Sequence, residues 1–312
     1  MNKRIVPIVF AFDNNIIMPA CICISSLLMN AKPDTFYEIF ILHSSKEPIK
    51  RDELDKIPAE YNNCTIKYVG VGDSFDSAYE VRGVTKATYY RLLVPEILKE
   101  YDKVIYSDVD IIYRLDLAEV YNEDYSDYYL GASLDLGLNQ EAKHLESIGV
   151  RSGEYLQAGF AILNLKKMRE DNMVEIFKAL GENKFTYQDQ DILNIACKGK
   201  IKYLPPCYNV NDCSFVQIYY RPETLPSQFT ISEYEFATKN GNIHYSGTKP
   251  WKKNSIALDV WWEYYRKSIF FDERFYFKYF FDSTMILDSL TLWKRLKIVV
   301  RYFVFGMYKG LN

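Results

Sequence analysis

The chain has 312 residues, of which 48% are hydrophobic and 25% are charged, as in a large globular domain or a domain with an appendage. Its formal net charge of −3 argues against a nucleic-acid-binding protein, because such proteins carry a strong basic excess. We therefore expect no nucleic-acid partner.

The first third of the chain alternates between strand-like and helix-like segments. Short apolar and β-branched runs predict strands at residues 5–11, 36–42, 65–71 and 103–106. Helical spacing and helix-forming residues predict helices at residues 17–28, 52–61 and 85–98. The alternation predicts an α/β fold with a mostly parallel, Rossmann-like sheet covered by helices. Ligands of such sheets bind beyond the carboxyl ends of strands, where Asp13 and the Asp108–Asp110 pair fall.

The pattern changes after residue 130. We expect strands at residues 131–134 and 159–163, helices at 166–180, 189–197 and 257–268, and a short strand leading into a turn at 243–247. Residues 205–230 carry few regular signals. Neither a Gly-x-Gly-x-x-Gly fingerprint nor a phosphate loop is present, so a nucleotide diphosphate would need another neutralising group, such as a divalent metal.

Six cysteines are present, and no pair has the spacing of a zinc site or of a redox Cys-x-x-Cys motif. A reducing cytoplasm is the simplest setting for such a chain. The start of the sequence runs directly into a strand-like segment, so we expect no signal peptide. No apolar stretch has the length of a membrane span.

The segment Asp108-Val109-Asp110 directly follows a predicted strand and lies between apolar runs. Two carboxylates in such a setting are costly unless they are paired or bind a metal, and hard cations such as Mg²⁺ or Mn²⁺ favour oxygen ligands. An Asp-x-Asp triplet also arises by chance. The chain holds a second one, Asp189-Gln190-Asp191.

A second candidate ligand is His244, which begins the segment His-Tyr-Ser-Gly-Thr-Lys-Pro-Trp. A neutral imidazole suits a manganese-like ion as a third ligand. Gly247 would allow the backbone to approach a phosphate, and Lys249 would supply a positive charge to it. The alternative is a turn that contains an ordinary hydrogen-bonded histidine.

Seven motifs occur in one order along the chain: residues 10–13, 88–92, 106–110, 130–135, 157–159, 187–191 and 244–251. This order resembles the retaining glycosyltransferases of family 8, which include bacterial lipooligosaccharide α-galactosyltransferases and, more distantly, glycogenin. The resemblance covers roughly residues 4–265. It implies a single GT-A-like domain, residues 1–285, that binds a UDP-sugar and Mn²⁺ or Mg²⁺.

The resemblance also implies roles for individual residues. Asp108, Asp110 and His244 would bind the metal, and Asp189 and Gln190 would be the catalytic pair beneath the donor sugar. The remaining donor contacts would be Ala11, Asp13, Arg91, Val109, Asp135, Gln157, Gly247 and Lys249.

Two positions depart from the family pattern. Gln157 stands where the family usually has asparagine, and the last motif is one residue shorter than in the galactosyltransferase, which affects the role of Lys249. The uncharged amide of Gln190 is a weak nucleophile, so we favour attack by the acceptor on the same face from which the phosphate leaves. UDP-galactose is the expected donor, with UDP-glucose as the alternative, and the acceptor is expected to be a glycan.

The end of the chain, residues 286–312, is predicted to be a separate helical tail. From residue 289 onward it contains basic and aromatic residues and no acidic one, whereas the rest of the chain is acidic. This composition suits the surface of an anionic membrane, and the alternative is a terminal helix packed on the protein. We expect a cytoplasmic protein attached peripherally to the inner face of the cell membrane, acting on a lipid-linked or surface glycan such as lipopolysaccharide.

Two other functions remain open from the residues alone. A metal-dependent nucleotidyltransferase would need a glycine-rich basic loop near the amino terminus, which this chain lacks. A non-catalytic glycan-binding relative would have no reason to retain Asp108, Asp110 and His244, which are all present.

Overall fold

The computed structural model describes residues 3–72, 86–253 and 255–303. Residue 85 of the predicted helix 85–98 and residues 304–312 of the predicted tail lie outside the described residues. The chain forms two compact units, Met1–Gly247 and Thr248–Asn312. The predicted tail boundary between residues 285 and 286 stays a prediction.

The first unit is built around β-sheet. Its strands are β1 Arg4–Ala11, β2 Thr35–Ser44, β3 Cys64–Val71, β4 Lys103–Ser107, β5 Ile111–Ile112, β6 Leu130–Leu134, β7 Leu156–Asn164, β8 Ile201–Tyr203 and β9 Ile243–His244. Among the described residues, seven of them form one sheet in the order β3-β2-β1-β4-β7-β6-β8, and β5 pairs with β9. Strands β3, β2, β1 and β4 are parallel, as are β6 and β8, whereas β7 is antiparallel to both neighbours. The predicted mostly parallel α/β fold is therefore confirmed.

Helices cover this sheet. The α-helices of the first unit are α1 Ile17–Met29, α2 Ile57–Glu60, α3 Val94–Ile97, α4 Ala118–Asn122, α5 Ala142–Ser147, α6 Leu165–Glu170, α7 Met173–Gly181, α8 Gln188–Ala196, α9 Asp212–Tyr220 and α10 Ile231–Asn240. The 3-10 helices are Asn14–Ile16, Leu54–Lys56, Lys86–Leu93, Leu138–Gln140, Pro206–Tyr208 and Pro222–Thr224. The predicted helix at 85–98 is thus mostly 3-10 in its described part.

The centre of the sheet lies at β1, which is hydrogen-bonded to β2 on one side and to β4 on the other. Residues 6–10 of β1 are buried, which explains why the strand reads as a continuous apolar run rather than an alternating one. Phe10 pairs with Ser107, so β1 and β4 end side by side. The residues that follow these two strands therefore emerge at the same edge of the sheet.

Two further predicted segments differ from the structure. The helix expected at 166–180 is divided into α6 and α7, because Asn172 adopts a left-handed conformation with φ of 51°. The stretch 205–230, expected to be irregular, contains α9. A capping box between Asn211 and Ser214 starts that helix, and this local signal was present in the sequence but was not recognised.

The second unit contains α11 Leu258–Lys267, α12 Glu273–Asp288 and α13 Leu292–Phe303. Trp262 of α11 is buried, and its ring centroid lies 4.5 Å from that of Tyr279 and 5.3 Å from that of Phe280, both on α12. Aromatic side chains, which make up 16% of the sequence, thus form the contact between these two helices. In the described part of the chain, no helix combines the length and apolar character that a membrane span requires.

Candidate active site

Asp108 and Asp110 lie in the short turn between β4 and β5, and His244 ends β9, which pairs with β5. His244 Nε2 is 3.1 Å from Asp110 Oδ1 and 3.8 Å from Asp108 Oδ2. One potential ligand atom from each of the three residues lies within 4.8 Å of the others. The two carboxylates and the imidazole that the sequence predicted as metal ligands are therefore brought together.

Gly159 of β7 leaves space for this cluster. A Cβ atom at this position would lie 2.2 Å from His244 Cε1 and 2.7 Å from Asp108 Oδ2. The carbonyl oxygen of Gly159 also accepts a 2.8 Å hydrogen bond from the backbone N–H of Asp108. Two carboxylates and one imidazole beside a glycine are a donor set that fits a divalent cation such as Mn²⁺ or Mg²⁺.

Arg91 is buried beside the cluster. Its guanidinium donates to Asp108 Oδ1 at 2.7 Å, forms an ion pair with Asp189 Oδ2 at 2.9 Å and donates to the Ala158 carbonyl at 2.5 Å. The group also lies 4.3 Å from the ring centroid of Tyr106. Arg91 therefore links the first aspartate of each Asp-x-Asp triplet, and its positive charge is shared between them.

Asp189 and Gln190 lie in the first turn of α8, and their side chains have different partners. Asp189 Oδ1 accepts a 2.8 Å hydrogen bond from the Thr88 hydroxyl, and burial raises the pKa of this carboxyl to about 6 against the opposing effect of Arg91. Gln190 Oε1 accepts from the Ala158 N–H at 2.9 Å, and its amide nitrogen is 3.4 Å from Asp135 Oδ2. Both catalytic candidates are thus held by neighbouring groups.

Asp135 follows β6 and is also buried, which raises the pKa of its carboxyl. Its Oδ1 accepts a 2.9 Å hydrogen bond from the backbone N–H of Leu138. Together with Gln190 and Ala158, it forms a hydrogen-bonded series that connects β6, α8 and β7. The predicted sugar contact and the predicted catalytic amide are therefore neighbours.

Ala11 and Asp13 lie at the end of β1, beside the end of β4. Asp13 Oδ1 accepts a hydrogen bond of 2.8 Å from Asn15 N and caps the 3-10 helix Asn14–Ile16. The structure thus gives Asp13 a local role in the backbone. Its predicted contact with a nucleoside stays a prediction.

Among the described residues, the second triplet does not belong to a metal cluster. Asp191 is fully buried, and its carboxylate accepts hydrogen bonds from the Tyr155 hydroxyl at 2.6 Å and from the Tyr187 N–H at 2.9 Å. His144 Nε2 is 2.9 Å from the same carboxylate. Asp191 of α8 therefore contacts His144 of α5 and Tyr155, the residue before β7, as a structural residue.

Gly247 ends the first unit. A Cβ at this position would lie 2.6 Å from Asp212 Oδ2, so a larger residue here would displace the Asp212 side chain. Lys249 lies in the second unit, where its carbonyl accepts from the backbone N–H of Lys252 at 2.9 Å. The predicted contacts of Gly247 and Lys249 with a diphosphate stay predictions.

Asn209 was not identified from the sequence. Its Oδ1 is 3.0 Å from His244 Nδ1, and its amide nitrogen is 2.5 Å from Gln157 Oε1. Gln157, which the resemblance assigned to the donor, directs its carbonyl oxygen inward to Asn209 and to the N–H of Gly159. No sequence signal marked Asn209, because it lies in a stretch without recognised motifs and contacts His244 only through the fold.

Comparisons with known proteins agree with the resemblance. A model of glycosyl transferase family 8 matches residues 7–255. A lipopolysaccharide 1,2-glucosyltransferase of Escherichia coli is 28% identical over 257 residues, which cover 78% of this chain and 72% of that protein. A protein of Haemophilus influenzae is 29% identical over 211 residues, and the match spans 65% of this chain and 62% of the relative's length.

Solved structures give the same result. The galactosyltransferase LgtC, solved in complex with donor and acceptor sugar analogues, superposes with a TM-score of 0.71 at 27% sequence identity. The match covers 88% of this chain and 100% of that structure. The range matched by the family model, residues 7–255, includes the segments that carry the candidate site.

Proposed function

This chain belongs to glycosyl transferase family 8, and from that premise we propose that it transfers a hexose from a UDP-sugar to a glycan acceptor with retention of anomeric configuration. The observation that carries the proposal is the cluster of Asp108, Asp110 and His244 around Gly159. A divalent cation held by these three side chains would neutralise the negative charge that develops on the departing UDP. Mn²⁺ is the proposed ion, with Mg²⁺ as the alternative.

The contacts of Asp189 and Gln190 support attack by the acceptor on the same face of the sugar from which the phosphate leaves. Both oxygens of Asp189 are engaged, one by Arg91 and the other by Thr88, which leaves the carboxylate poorly placed to attack a sugar carbon. The amide of Gln190 carries no charge, and its oxygen already accepts from Ala158. Neither group has the features of a strong nucleophile.

In the proposed reaction, the acceptor hydroxyl oxygen forms a bond to the anomeric carbon while the bond from that carbon to the phosphate oxygen breaks. The hydroxyl proton passes to the departing phosphate, so atoms and charges balance. Asp135, Asp189 and the Gln190 amide oxygen would stabilise the positive charge on the sugar ring. Gly247 and Lys249 would contact the diphosphate, and Ala11, Asp13 and Val109 the uridine.

The donor is proposed to be UDP-galactose, with UDP-glucose as the alternative. The lipopolysaccharide 1,2-glucosyltransferase and the galactosyltransferase LgtC are named for these two sugars. The acceptor is proposed to be a glycan of the cell surface, such as lipopolysaccharide during its synthesis at the cytoplasmic face of the membrane.

A screen of UDP-sugars tests this function. We expect release of UDP from one UDP-hexose in the presence of Mn²⁺, and none after removal of the metal with a chelator. The anomeric proton coupling of the transferred sugar, measured by NMR, should show the configuration of the donor. Metal-independent turnover, or an inverted product, would contradict the proposal.

We also propose that the second unit attaches the protein to an anionic membrane. Trp293 of α13 is 81% exposed, and the apolar residues Leu292, Leu296, Val299 and Val300 share one face of this helix, as their spacing requires. Lys294 and Lys297 lie on another face. A helix with an exposed apolar face flanked by lysines suits an anionic bilayer surface.

Vesicle flotation tests the attachment. Lys294→Glu combined with Lys297→Glu should remove most binding to vesicles that contain anionic lipid, because each lysine contributes about 1 kcal/mol near such a surface. The matched control is Lys99→Glu with Lys239→Glu, which makes the same charge change at two exposed lysines of the first unit. Equal flotation of both double variants would contradict attachment through α13.

A further inference from the structure

His244 is buried, and each of its ring nitrogens faces a different group. Nε2 lies 3.1 Å from Asp110 Oδ1, on the side of the metal cluster. Nδ1 lies 3.0 Å from Asn209 Oδ1, on the opposite side of the ring. A neutral imidazole carries its proton on one nitrogen only, so one of these sides must be the donor.

The direction of the hydrogen bonds behind His244 is fixed by a backbone group. The N–H of Gly159 can only donate, and it donates to Gln157 Oε1 at 2.7 Å. That atom is therefore the carbonyl oxygen of Gln157. Asn209 lies 2.5 Å from the same oxygen and must present its NH₂ group to it. The remaining atom of the Asn209 amide, its oxygen, then faces His244 Nδ1 and requires a proton there.

We infer that Gln157 and Asn209 are positioning residues that hold His244 in the tautomer protonated at Nδ1. Its Nε2 lone pair then faces Asp108 and Asp110, as a metal ligand requires. The other tautomer would direct an N–H toward the cation and could not bind it. The inference rests on one part of the proposed function, namely that Asp108, Asp110 and His244 bind a divalent cation.

This arrangement gives a role to Gln157, which stands where the family usually has asparagine. Gln157 and Gly159 are two residues apart on β7, and the Gln157 side chain turns back to accept from Gly159 N. The carbonyl oxygen of Gly159 also accepts a hydrogen bond from the backbone N–H of Asp108. One short segment of β7 therefore positions the backbone of one ligand and, through Asn209, the ring of another.

The tautomer can be measured directly. The chain contains three histidines, so a long-range ¹⁵N–¹H spectrum of the histidine-labelled protein at about pH 8, recorded with saturating diamagnetic Mg²⁺, contains few signals, and loss of one in His43→Gln and one in His144→Gln assigns the third. We expect His244 Nδ1 to be protonated and Nε2 to be unprotonated. A spectrum in which Nε2 carries the proton would overturn the inference.

Variants test the relay itself. Asn209→Ala removes the acceptor for Nδ1–H and should weaken Mn²⁺ binding about 10–100-fold, measured from the EPR signal of free Mn²⁺ without any sugar nucleotide. The matched control is Asn183→Ala, at an exposed position before α8, which should bind Mn²⁺ like the unaltered protein. Affinity of Asn209→Ala within twofold of that control would overturn the inference.

Two substitutions at position 157 separate the relay from simple packing. Gln157→Glu keeps an acceptor for both Gly159 N–H and the Asn209 amide, so the Nδ1–H tautomer should persist. Gln157→Leu removes that acceptor, allows the Asn209 amide to rotate, and should increase the Nε2–H tautomer in the same spectrum. Identical tautomers in both variants would contradict the relay, provided that circular dichroism shows both to be folded.

These measurements are independent of glycosyl transfer. If no UDP-sugar is turned over but the Nδ1–H tautomer and the loss of Mn²⁺ affinity are observed, the relay stands and the proposed function fails. If Mn²⁺-dependent turnover is observed but Asn209→Ala binds Mn²⁺ normally, the function stands and the relay fails.

Discussion

The chain contains two Asp-x-Asp triplets that have the same spacing but different structural surroundings. Asp108-Val109-Asp110 follows a strand, and its two carboxylates meet at His244. Asp189-Gln190-Asp191 lies in the first turn of α8, and its carboxylates have separate partners. Because successive residues of an α-helix rotate by about 100°, side chains two positions apart point to nearly opposite sides. The backbone that carries a triplet therefore decides whether it can form a metal site.

The two triplets also differ in what surrounds them. Asp108 remains 29% exposed at its side chain, and Asp110 12%, whereas the side chain of Asp191 is fully buried. Buried donors satisfy Asp191, so it contributes to folding rather than to ligand binding. Arg91 contacts Asp108 and Asp189, one aspartate of each triplet, and thereby connects the two regions electrostatically.

Among the predicted substitutions, removing one negative charge from the first triplet should have the largest effect, which is a loss of turnover. Asp110→Asn keeps the size of the side chain but loses the carboxylate that faces His244 Nε2. We expect turnover at limiting Mn²⁺ to fall about 10³-fold, with an unchanged circular dichroism spectrum. The matched control is Asp127→Asn at an exposed position. Mn²⁺-dependent turnover equal to that of the control would contradict the claim that the first triplet binds the metal.

The fold and the first triplet were predictable because their signals are local. The apolar runs of β1 and β4 give strands, and the parallel arrangement brings their carboxyl ends together, which places Asp13 and Asp108 at one edge. The expectation that His244 lies beside Asp108 and Asp110 came from the family resemblance and not from the local sequence pattern. The observed pairing of β5 with β9 gives its physical basis.

Contacts that depend on long-range packing were not predictable. Asn209 and His244 lie far apart in sequence, and a lone asparagine in an unassigned segment carries no sign that it will accept from an imidazole. The break at Asn172 was also missed, because a left-handed residue between two amphipathic stretches leaves the apolar spacing almost intact. The capping box before α9, by contrast, is a local signal that the sequence carries.

A substitution in the second triplet should affect stability rather than metal binding. Asp191→Ala leaves the Tyr155 hydroxyl and the Tyr187 N–H buried without their acceptor. We expect the free energy of unfolding in urea to fall by about 3 kcal/mol, with Mn²⁺ affinity unchanged at a temperature where the variant is folded. Weaker Mn²⁺ binding with unchanged stability would reverse the assignment of the two triplets.

Gln190, between the two aspartates of the second triplet, separates two mechanisms. Gln190→Ala removes an uncharged oxygen near the reacting sugar, and same-face attack predicts a decrease in kcat of about tenfold. Gln228→Ala, at an exposed position, is the matched control. A loss of turnover beyond about 10⁴-fold in a folded variant would instead support direct attack by the Gln190 oxygen.

The smallest predicted effect concerns the connection between the triplets. Arg91 shares its charge between Asp108 and Asp189, so Asp189→Asn should leave more of that charge acting on Asp108. A cation would then meet a less negative site, and we expect Mn²⁺ affinity to fall about fivefold by EPR. Asp102→Asn is the matched control, because it removes a 79% exposed aspartate paired with Arg169. Unchanged or tighter Mn²⁺ binding in Asp189→Asn would show that the second triplet does not act on the metal cluster through Arg91.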